Sequence, residues 1–263
     1  MKAWKITLII GIIVLAVGLA LFITGLALNG WKFKVEYEME TFNSTEENTA
    51  LDLRMSAGSM NVQFYEGDSI EVTYPVSYAR GYEVSERAGT VRVNPVNRHV
   101  FNWFGWSNIP AVTVKVPEGK VMDLKLETSA GSATVASGAY GDVRIDMSAG
   151  AITVGEVVCK NFKADLSAGR ITVSSAACTA LDVDLSAGMA TFDNVVSKDI
   201  DIDLSAGTVY MSVKGDKSEY AITVDKSAGS CNLASQSPAQ GTAEVKRIDV
   251  DLSAGNVEVT FKD

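Results

Sequence analysis

The feature that most constrains this chain is a Ser-Ala-Gly tripeptide that recurs at a fixed interval. It occurs eight times, and from Gly131 to Gly207 the glycines follow one another in steps of 19 residues. The next two steps, to Gly229 and Gly255, are 22 and 26 residues. A unit of about 20 residues is too short to bury its own apolar face, so such a period indicates coils that stack on one another.

Apolar residues occupy the same columns in every unit once the units are aligned on this glycine. The columns seven, five and three residues before it and four residues after it are apolar in nearly every unit. Alternation with period two is typical of β-strands, and glycine tolerates the backbone of a sharp corner. We therefore predict an all-β fold, a single-stranded parallel β-helix (solenoid), with two short strands meeting at each Ser-Ala-Gly corner. A sandwich of hairpins would not require this register.

A degenerate unit is predicted around Gly89. Tyr82 and Val84 would lead into its corner, and Val91 and Val93 would leave it. In this interpretation the unit adds one more parallel coil to the solenoid.

The N-terminus contains 23 consecutive residues without a charge, 6–28. A helix of this length spans roughly 34 Å, enough for a hydrocarbon core of about 30 Å. Trp4 and Trp31 flank it, as interfacial aromatic residues do. We predict one transmembrane α-helix that stays attached, with the C-terminal bulk outside the cytoplasm; a cleaved signal peptide is the alternative. The predicted regions are an anchor (1–31), a juxtamembrane strand and linker (32–50) and the solenoid domain (51–263).

The charge of the chain excludes several classes of partner. It has 23 Lys and Arg against 32 Asp and Glu, and of these only Lys2 and Lys5 precede Trp31, so the remainder carries 21 − 32 = −11. Such an acidic domain disfavours binding to nucleic acid or to an anionic lipid surface. The single histidine, His99, removes the usual general base, and the eight corner serines cannot all have one beside them. We therefore expect no enzymatic activity and assign no catalytic residue.

Carboxylates form an outward column four residues before the corner glycine. The column six residues before it is basic in the first full units and acidic in the later ones. The later units thus present Asp-x-Asp rows without a basic column to offset them: Asp182 and Asp184, Asp201 and Asp203, Asp249 and Asp251. Dense oxygen ligands of this kind suit Ca²⁺, and these six residues are the candidate ligands. We favour the simpler interpretation, a solvated acidic face that opposes aggregation. No other cofactor is expected.

An aromatic insertion, FNWFGW at 101–106, interrupts the repeat. Its aromatic residues are Phe101, Trp103, Phe104 and Trp106. We favour a cap over the open end of the solenoid; the alternatives are a binding loop for a ligand or a loop that touches the membrane.

The three cysteines are too few for a disulfide framework. Cys159 and Cys178 are one coil apart and should stack at a spacing that a disulfide can bridge, although we expect free thiols. Cys231 falls in a core column and is expected to be buried.

The run VPEGKVMDLKLETSAGSATV at 116–135, followed by repeated DLSAG motifs, resembles a bacterial envelope family. This is the LiaG-like "putative adhesin" domain of unknown function, and the resemblance covers about residues 42–263. It implies a bacterial, surface-located β-helix, and some members are linked to envelope-stress operons. It implies no catalytic residues.

From the anchor, the repeat and this resemblance we expect a membrane-anchored, extracytoplasmic binding or structural module of the bacterial cell envelope. The alternative is an accessory or sensor protein of an envelope-stress response that works through membrane partners. The expected partners are the membrane, crossed once, and a cell-wall polymer or a membrane protein.

Overall fold

A computed structural model describes residues 3–28, 36–45, 47–78, 80–97, 109–240 and 245–262. Helix α1 (Ala3–Leu28) comes first, and the other regular structure in these ranges is β apart from one short 3₁₀ turn (Lys217–Glu219). Within the described residues, no helix combines the length and the hydropathy needed to cross a bilayer. The predicted transmembrane helix is therefore not confirmed by the structure.

The first seven strands lie at the N-terminal end of the domain: β1 (Glu38–Asn43), β2 (Ala50–Met55), β3 (Ser59–Tyr65), β4 (Glu71–Val76), β5 (Arg80–Arg87), β6 (Thr90–Asn97) and β7 (Val112–Pro117). The regular coils comprise β8 (Met122–Thr128), β9 (Ser132–Val135), β10 (Gly138–Met147), β11 (Ala151–Val158), β12 (Asn161–Leu166), β13 (Arg170–Ala177), β14 (Ala180–Leu185), β15 (Met189–Val196), β16 (Asp199–Leu204) and β17 (Thr208–Lys214). The chain ends with β18 (Tyr220–Lys226), β19 (Ser230–Cys231), β20 (Lys246–Leu252) and β21 (Asn256–Lys262).

Each regular coil contributes one strand to each of two faces. We call the face whose strands lead into the Ser-Ala-Gly corner the entry face, and the face whose strands leave it the exit face. On the entry face β10, β12, β14 and β16 pair in parallel and in register, with Val143 opposite Phe162 and Phe162 opposite Leu181. On the exit face β11, β13, β15 and β17 also pair in parallel, with one shift of register between Phe192 and Val195 of β15. The predicted parallel solenoid is confirmed.

The apolar columns form one core between the two faces. Strands such as β14 and β16 alternate strictly between inward buried and outward positions. Phe162 and Phe192 meet edge to face in this core, with ring centroids 5.8 Å apart. Because these columns are buried, the period-two pattern in the sequence predicts which side of each strand faces the core.

The corner glycines stack directly on one another. Gly188 has a φ of +111°, and a Cβ there would overlap the carbonyl oxygen of Gly169 and lie 2.8 Å from its nitrogen. Both the left-handed backbone and the close approach of the next coil therefore require glycine. The corner serines continue the ladder through their backbone, since the amide of Ser186 donates to the carbonyl of Leu166 at 2.8 Å.

The order of the coils in the stack differs from their order in the chain. β20 pairs with β16 on one side and with β18 on the other, and β21 likewise lies between β17 and β19. The last coil of the chain is therefore interior, and the coil at 220–231 forms the end of the stack. A charged residue is compatible with this terminal position. Lys226 of the end coil lies opposite Leu252 of β20, which is buried in the interior of the stack.

The N-terminal end of the stack corrects the predicted degenerate unit. β5 and β6 form an antiparallel hairpin that places Val84 opposite Val93. Ala88 and Gly89 both have positive φ, as in a tight hairpin turn, so Gly89 is not a solenoid corner. Val91 pairs in parallel with Leu51 and therefore belongs to the entry face. Turn chemistry at Ala88 and Gly89 overrides the apparent repeat.

Antiparallel strands also extend the exit face at this end. β1 pairs with β4, and β4 pairs with β7, which in turn pairs in parallel with β3. β1 is the outer strand, as expected for an edge strand in the linker, although the first part of that predicted strand lies outside the described residues.

The C-terminal end is closed by the segment that follows β19. The amides of Ile222 and Gln236 each donate to the other residue's carbonyl at 2.9 Å, and the Ser235 hydroxyl accepts from the amide of Val224 at 3.0 Å. This segment occupies the outer edge of β18. Cys231 is only partly buried, which corrects the sequence expectation, because β19 contains two residues and has a strand partner on one side.

Candidate functional site

Two outward columns run along the entry face beside the corner. Because the strands are in register, side chains at equivalent positions stack from coil to coil. The column nearer the corner runs through Glu127, Asp146, Asp165, Asp184, Asp203, Asp251 and Asp225. The second column runs through Lys125, Arg144, Lys163, Asp182, Asp201, Asp249 and Thr223.

Basic and acidic side chains pair within single strands at the N-terminal part of these columns. Lys125 Nζ lies 2.5 Å from a carboxylate oxygen of Glu127. Arg144 reaches both carboxylate oxygens of Asp146, at 2.9 and 2.7 Å. The pKa of Arg144 is raised, chiefly by the hydrogen bond that its guanidinium donates to Asp146. This part of the face is therefore close to neutral.

The C-terminal part forms a continuous acidic face, which we define as Asp182, Asp184, Asp201, Asp203, Asp249 and Asp251. The sequence order suggests that the coil with Thr223 separates the last two aspartates from the others. The structure instead places β20 directly beside β16, so that all six lie on three neighbouring strands.

The acidic face has no basic column of its own, but single basic residues contact it at two places. Lys163 Nζ contacts Asp182 at 2.8 Å and Asp184 at 2.7 Å. At the other margin Arg247 lies 3.4 Å from Asp249. The contact of Lys163 with this face could have been predicted from the sequence, because Lys163 stands in the same column one unit before Asp182.

The central row, Asp201 and Asp203, has no ion pair with any part of the chain that the structure describes. Burial raises the pKa of Asp201, and the neighbouring charges of Asp249 and Asp182 raise it further, while Arg247 lowers it. Burial likewise raises the pKa of Asp203, with Asp184 and Asp251 adding to the effect. Like charges at the strand spacing therefore disfavour the ionised form of both groups.

A preformed metal centre is not evident on this face. The described ranges contain no group of three or more His, Cys, Asp or Glu side chains arranged to hold a metal ion. The six aspartates are brought together as a charged surface, and Ca²⁺ binding stays a prediction that rests on charge density. The predicted aromatic loop, Phe101, Trp103, Phe104 and Trp106, lies outside the described residues, as does His99.

A groove runs along the corner beside the near-neutral part of the columns. Its volume is about 600 Å³, within the range typical of ligand sites. The groove is lined by Ser129, Ser148 and Ser167, by acidic residues of the column nearer the corner, and by Arg54. Asn94 and Pro95 of β6 supply the wall. We call this surface the corner groove.

Sequence reasoning missed the corner groove because its wall comes from the hairpin. β6 pairs with β2 only through Thr90–Val93, and Asn94 and Pro95 continue beyond that pairing beside the corner. The repeat predicted only the serine column of this groove. Each of its exposed hydroxyls can donate one hydrogen bond and accept two, at a spacing of about 4.8 Å from coil to coil.

Comparison with known proteins places this geometry in a family. No curated protein sequence matches the chain. Among solved structures, a "putative cell adhesion protein" from Clostridium sporogenes ATCC 15579 is 10% identical, covers 86% of this chain and 100% of its own, and has a TM-score of 0.34. A "putative adhesin" from Parabacteroides merdae ATCC 43184 is 8% identical, covers 86% of this chain and 97% of its own, and has a TM-score of 0.37.

A family model gives the stronger result, since it aligns with most of the β-domain. The Toastrack DUF4097 model matches residues 48–263, from just before β2 to the end of the chain. The match includes the corner groove and the acidic face, and it agrees with the resemblance to a domain of unknown function. This chain belongs to the Toastrack DUF4097 family.

Proposed function

We propose that this protein is a non-enzymatic binding module of the bacterial cell envelope, held at the membrane by its N-terminal segment and exposed outside the cytoplasm. The observation that carries the proposal is the corner groove, in which hydroxyl and carboxylate columns repeat from coil to coil. A rigid groove with a constant polar spacing suits an extended ligand that offers hydroxyl or amino groups at intervals, such as a cell-wall polymer.

The groove itself favours binding over catalysis. Its serines have no histidine beside them within the described residues, because the single histidine of the chain is His99. Two of its carboxylates, Glu127 and Asp146, are ion-paired with bases from the same strand. Groups held in this way can accept hydrogen bonds from a ligand but are poorly placed to activate a serine nucleophile.

The anchor part of the proposal is supported by the sequence. Residues 6–28 carry no charge, and most described side chains of α1 point to solvent instead of packing on the β-domain. Protease added to intact protoplasts should digest the β-domain and leave a short membrane-associated fragment. Full protection of the domain would show that the proposed orientation is wrong, and recovery of the whole chain in the soluble fraction would exclude an anchor.

Ligand capture tests the binding part. The full chain, immobilised in detergent, is offered purified cell-wall polymers and, separately, solubilised membrane proteins. Ser148→Trp places a large side chain in the corner groove, whereas Ser205→Trp makes the same change in the same column outside the groove lining. We expect the first variant alone to lose polymer binding at least tenfold. Equal binding by both variants would exclude the groove, and capture of a membrane protein instead would favour the accessory or sensor role.

A further inference from the structure

Two cysteines stack in consecutive coils at the turn that follows the exit face. Cys159 comes directly after β11, and Cys178 occupies the equivalent position after β13. The amide of Cys159 donates to the carbonyl of Ala177 at 3.0 Å, and that of Cys178 to the carbonyl of Val196 at 2.9 Å. The parallel ladder thus continues through both residues. Strands in such a ladder lie about 4.8 Å apart, within the Cα separation of about 4.4–6.8 Å that a disulfide spans.

The two thiols are free, and the backbone ladder stacks Cys159 and Cys178 at equivalent positions of neighbouring coils. A hydrogen bond between them is the main cause that raises the pKa of Cys159, and burial and Asp142 raise it further. The same hydrogen bond is the main cause that lowers the pKa of Cys178, and the hydroxyl of Ser197 also lowers it, against the effect of burial.

Both thiols are partly accessible, since Cys159 is 9% exposed and Cys178 is only partly buried. A reagent in solution can therefore reach the pair, and we assign the first attack to Cys178, whose thiol ionises more readily. Thiolate character together with access is what determines which cysteine reacts first.

We propose that Cys159 and Cys178 form an oxidation site that closes into a disulfide between consecutive coils by exchange with a small-molecule disulfide. The Cys178 thiolate attacks one sulfur of that disulfide, which forms a mixed disulfide and expels one small thiolate. Cys159 then loses its proton to solvent and attacks Sγ of Cys178, which expels the second small thiolate. The two protein thiols lose two electrons in total, and the small disulfide gains them as it is reduced to two thiols.

The product would be a covalent staple between adjacent coils. Such a link ties one coil to the next and so lowers the conformational entropy of the unfolded chain. It therefore stabilises the stack chiefly through the unfolded state. Cys231 cannot compete for either partner within one molecule because it lies on the end coil, beside β21. The site therefore offers one specific pairing among the three cysteines.

The test uses the full, reduced chain in detergent, treated with glutathione disulfide and then alkylated for mass spectrometry. We expect one intramolecular disulfide that joins the peptides of Cys159 and Cys178, with Cys231 still alkylated. Three alkylated cysteines, or a disulfide that includes Cys231, would overturn the proposal. Oxidation of the pair should also raise the Tm by about 5–10 °C relative to the reduced chain.

Single variants test the order of attack. Cys159→Ser should accumulate a glutathione adduct on Cys178, because the attacking thiol is present and its partner is not. Cys178→Ser should form the adduct on Cys159 at least tenfold more slowly, and Cys231→Ser should still form the intramolecular disulfide. Equal adduct formation in the first two variants would refute the assignment of Cys178 as the attacking thiol. The wild-type mass result decides the disulfide itself, even if a variant folds poorly.

Discussion

Asp203 and Asp251 lie opposite each other in neighbouring parallel strands, although a complete coil separates them in the chain. The coil between them in sequence, 220–231, lies beyond Asp251 at the end of the stack. This relationship makes the acidic face continuous and leaves Asp203 between two carboxylates of the same column, Asp184 and Asp251.

Removing one central charge should stabilise the fold at neutral pH. The pKa of Asp203 is raised in the folded state, so its ionised form costs stability above that pKa, and the cost disappears as the pH falls below the ordinary value for an aspartate. Because Asp203 is exposed and solvent screens its neighbours, we expect Asp203→Asn to raise the free energy of unfolding by only about 0.3 kcal/mol at pH 7, and to have no effect near pH 3.

Urea unfolding of the full chain in detergent at the two pH values measures this difference. Asp193→Asn is the matched control, because it is an exposed aspartate on the exit face. The same gain in both variants, or a gain that persists at pH 3, would show that repulsion within the acidic face is not the cause.

Divalent cations should relieve the same repulsion more effectively than monovalent ones. We expect millimolar Ca²⁺ to raise the Tm of the full chain by about 2 °C more than Na⁺ at equal ionic strength. The double variant Asp201→Asn, Asp203→Asn should remove most of that difference. It is preferred to changes at Asp184, whose loss would also break the contact with Lys163. Identical effects of the two salts would show that the acidic face is only solvated and has no Ca²⁺ site.

The stacked corners make a sharp prediction for glycine. Gly188→Ala introduces a Cβ that would overlap the backbone of Gly169. We therefore expect the free energy of unfolding to fall by at least about 3 kcal/mol, or the variant to fail to fold. Gly119→Ala is the control: its φ is also positive, at +76°, but no atom lies within 4 Å of the added Cβ. This variant should lower the free energy of unfolding by about 1 kcal/mol, through strain of the left-handed backbone alone. Chemical denaturation of both variants separates the two contributions, and equal losses would contradict a packing role for the stacked corner.

The segment after β19 should protect the end coil from opening. Gln236→Pro removes the amide that donates to Ile222. We therefore expect faster hydrogen exchange at the amides of Ile222 and Val224, while the amides of β14 stay unchanged. Gln236→Ala keeps the backbone bonds and loses only the side-chain contacts to Lys217 and Tyr220, so it should have a smaller effect. Unchanged exchange in the proline variant would show that this segment does not close the edge.

Much of this protein could be predicted from its sequence because a parallel stack turns sequence period into spatial register. The 19-residue step predicted which residues share a column, such as Val143 with Phe162, and the strand pairing confirms it. It also predicted the corner glycine and the outward carboxylate column. These features are local to one unit and repeat unchanged in the next.

The tertiary structure alone decided the features that depend on which units are neighbours. Nothing in a repeat says that β20 inserts between β16 and β18, because in-register pairing is compatible with any order of similar coils. The wall of the corner groove depends on the antiparallel hairpin at Gly89, where turn geometry overrode the period. Lys163 reaches both Asp182 and Asp184 through a side chain longer than the strand spacing, a contact that column assignment does not express. The sequence thus determined the coil, whereas packing between coils determined the surfaces that the stack presents.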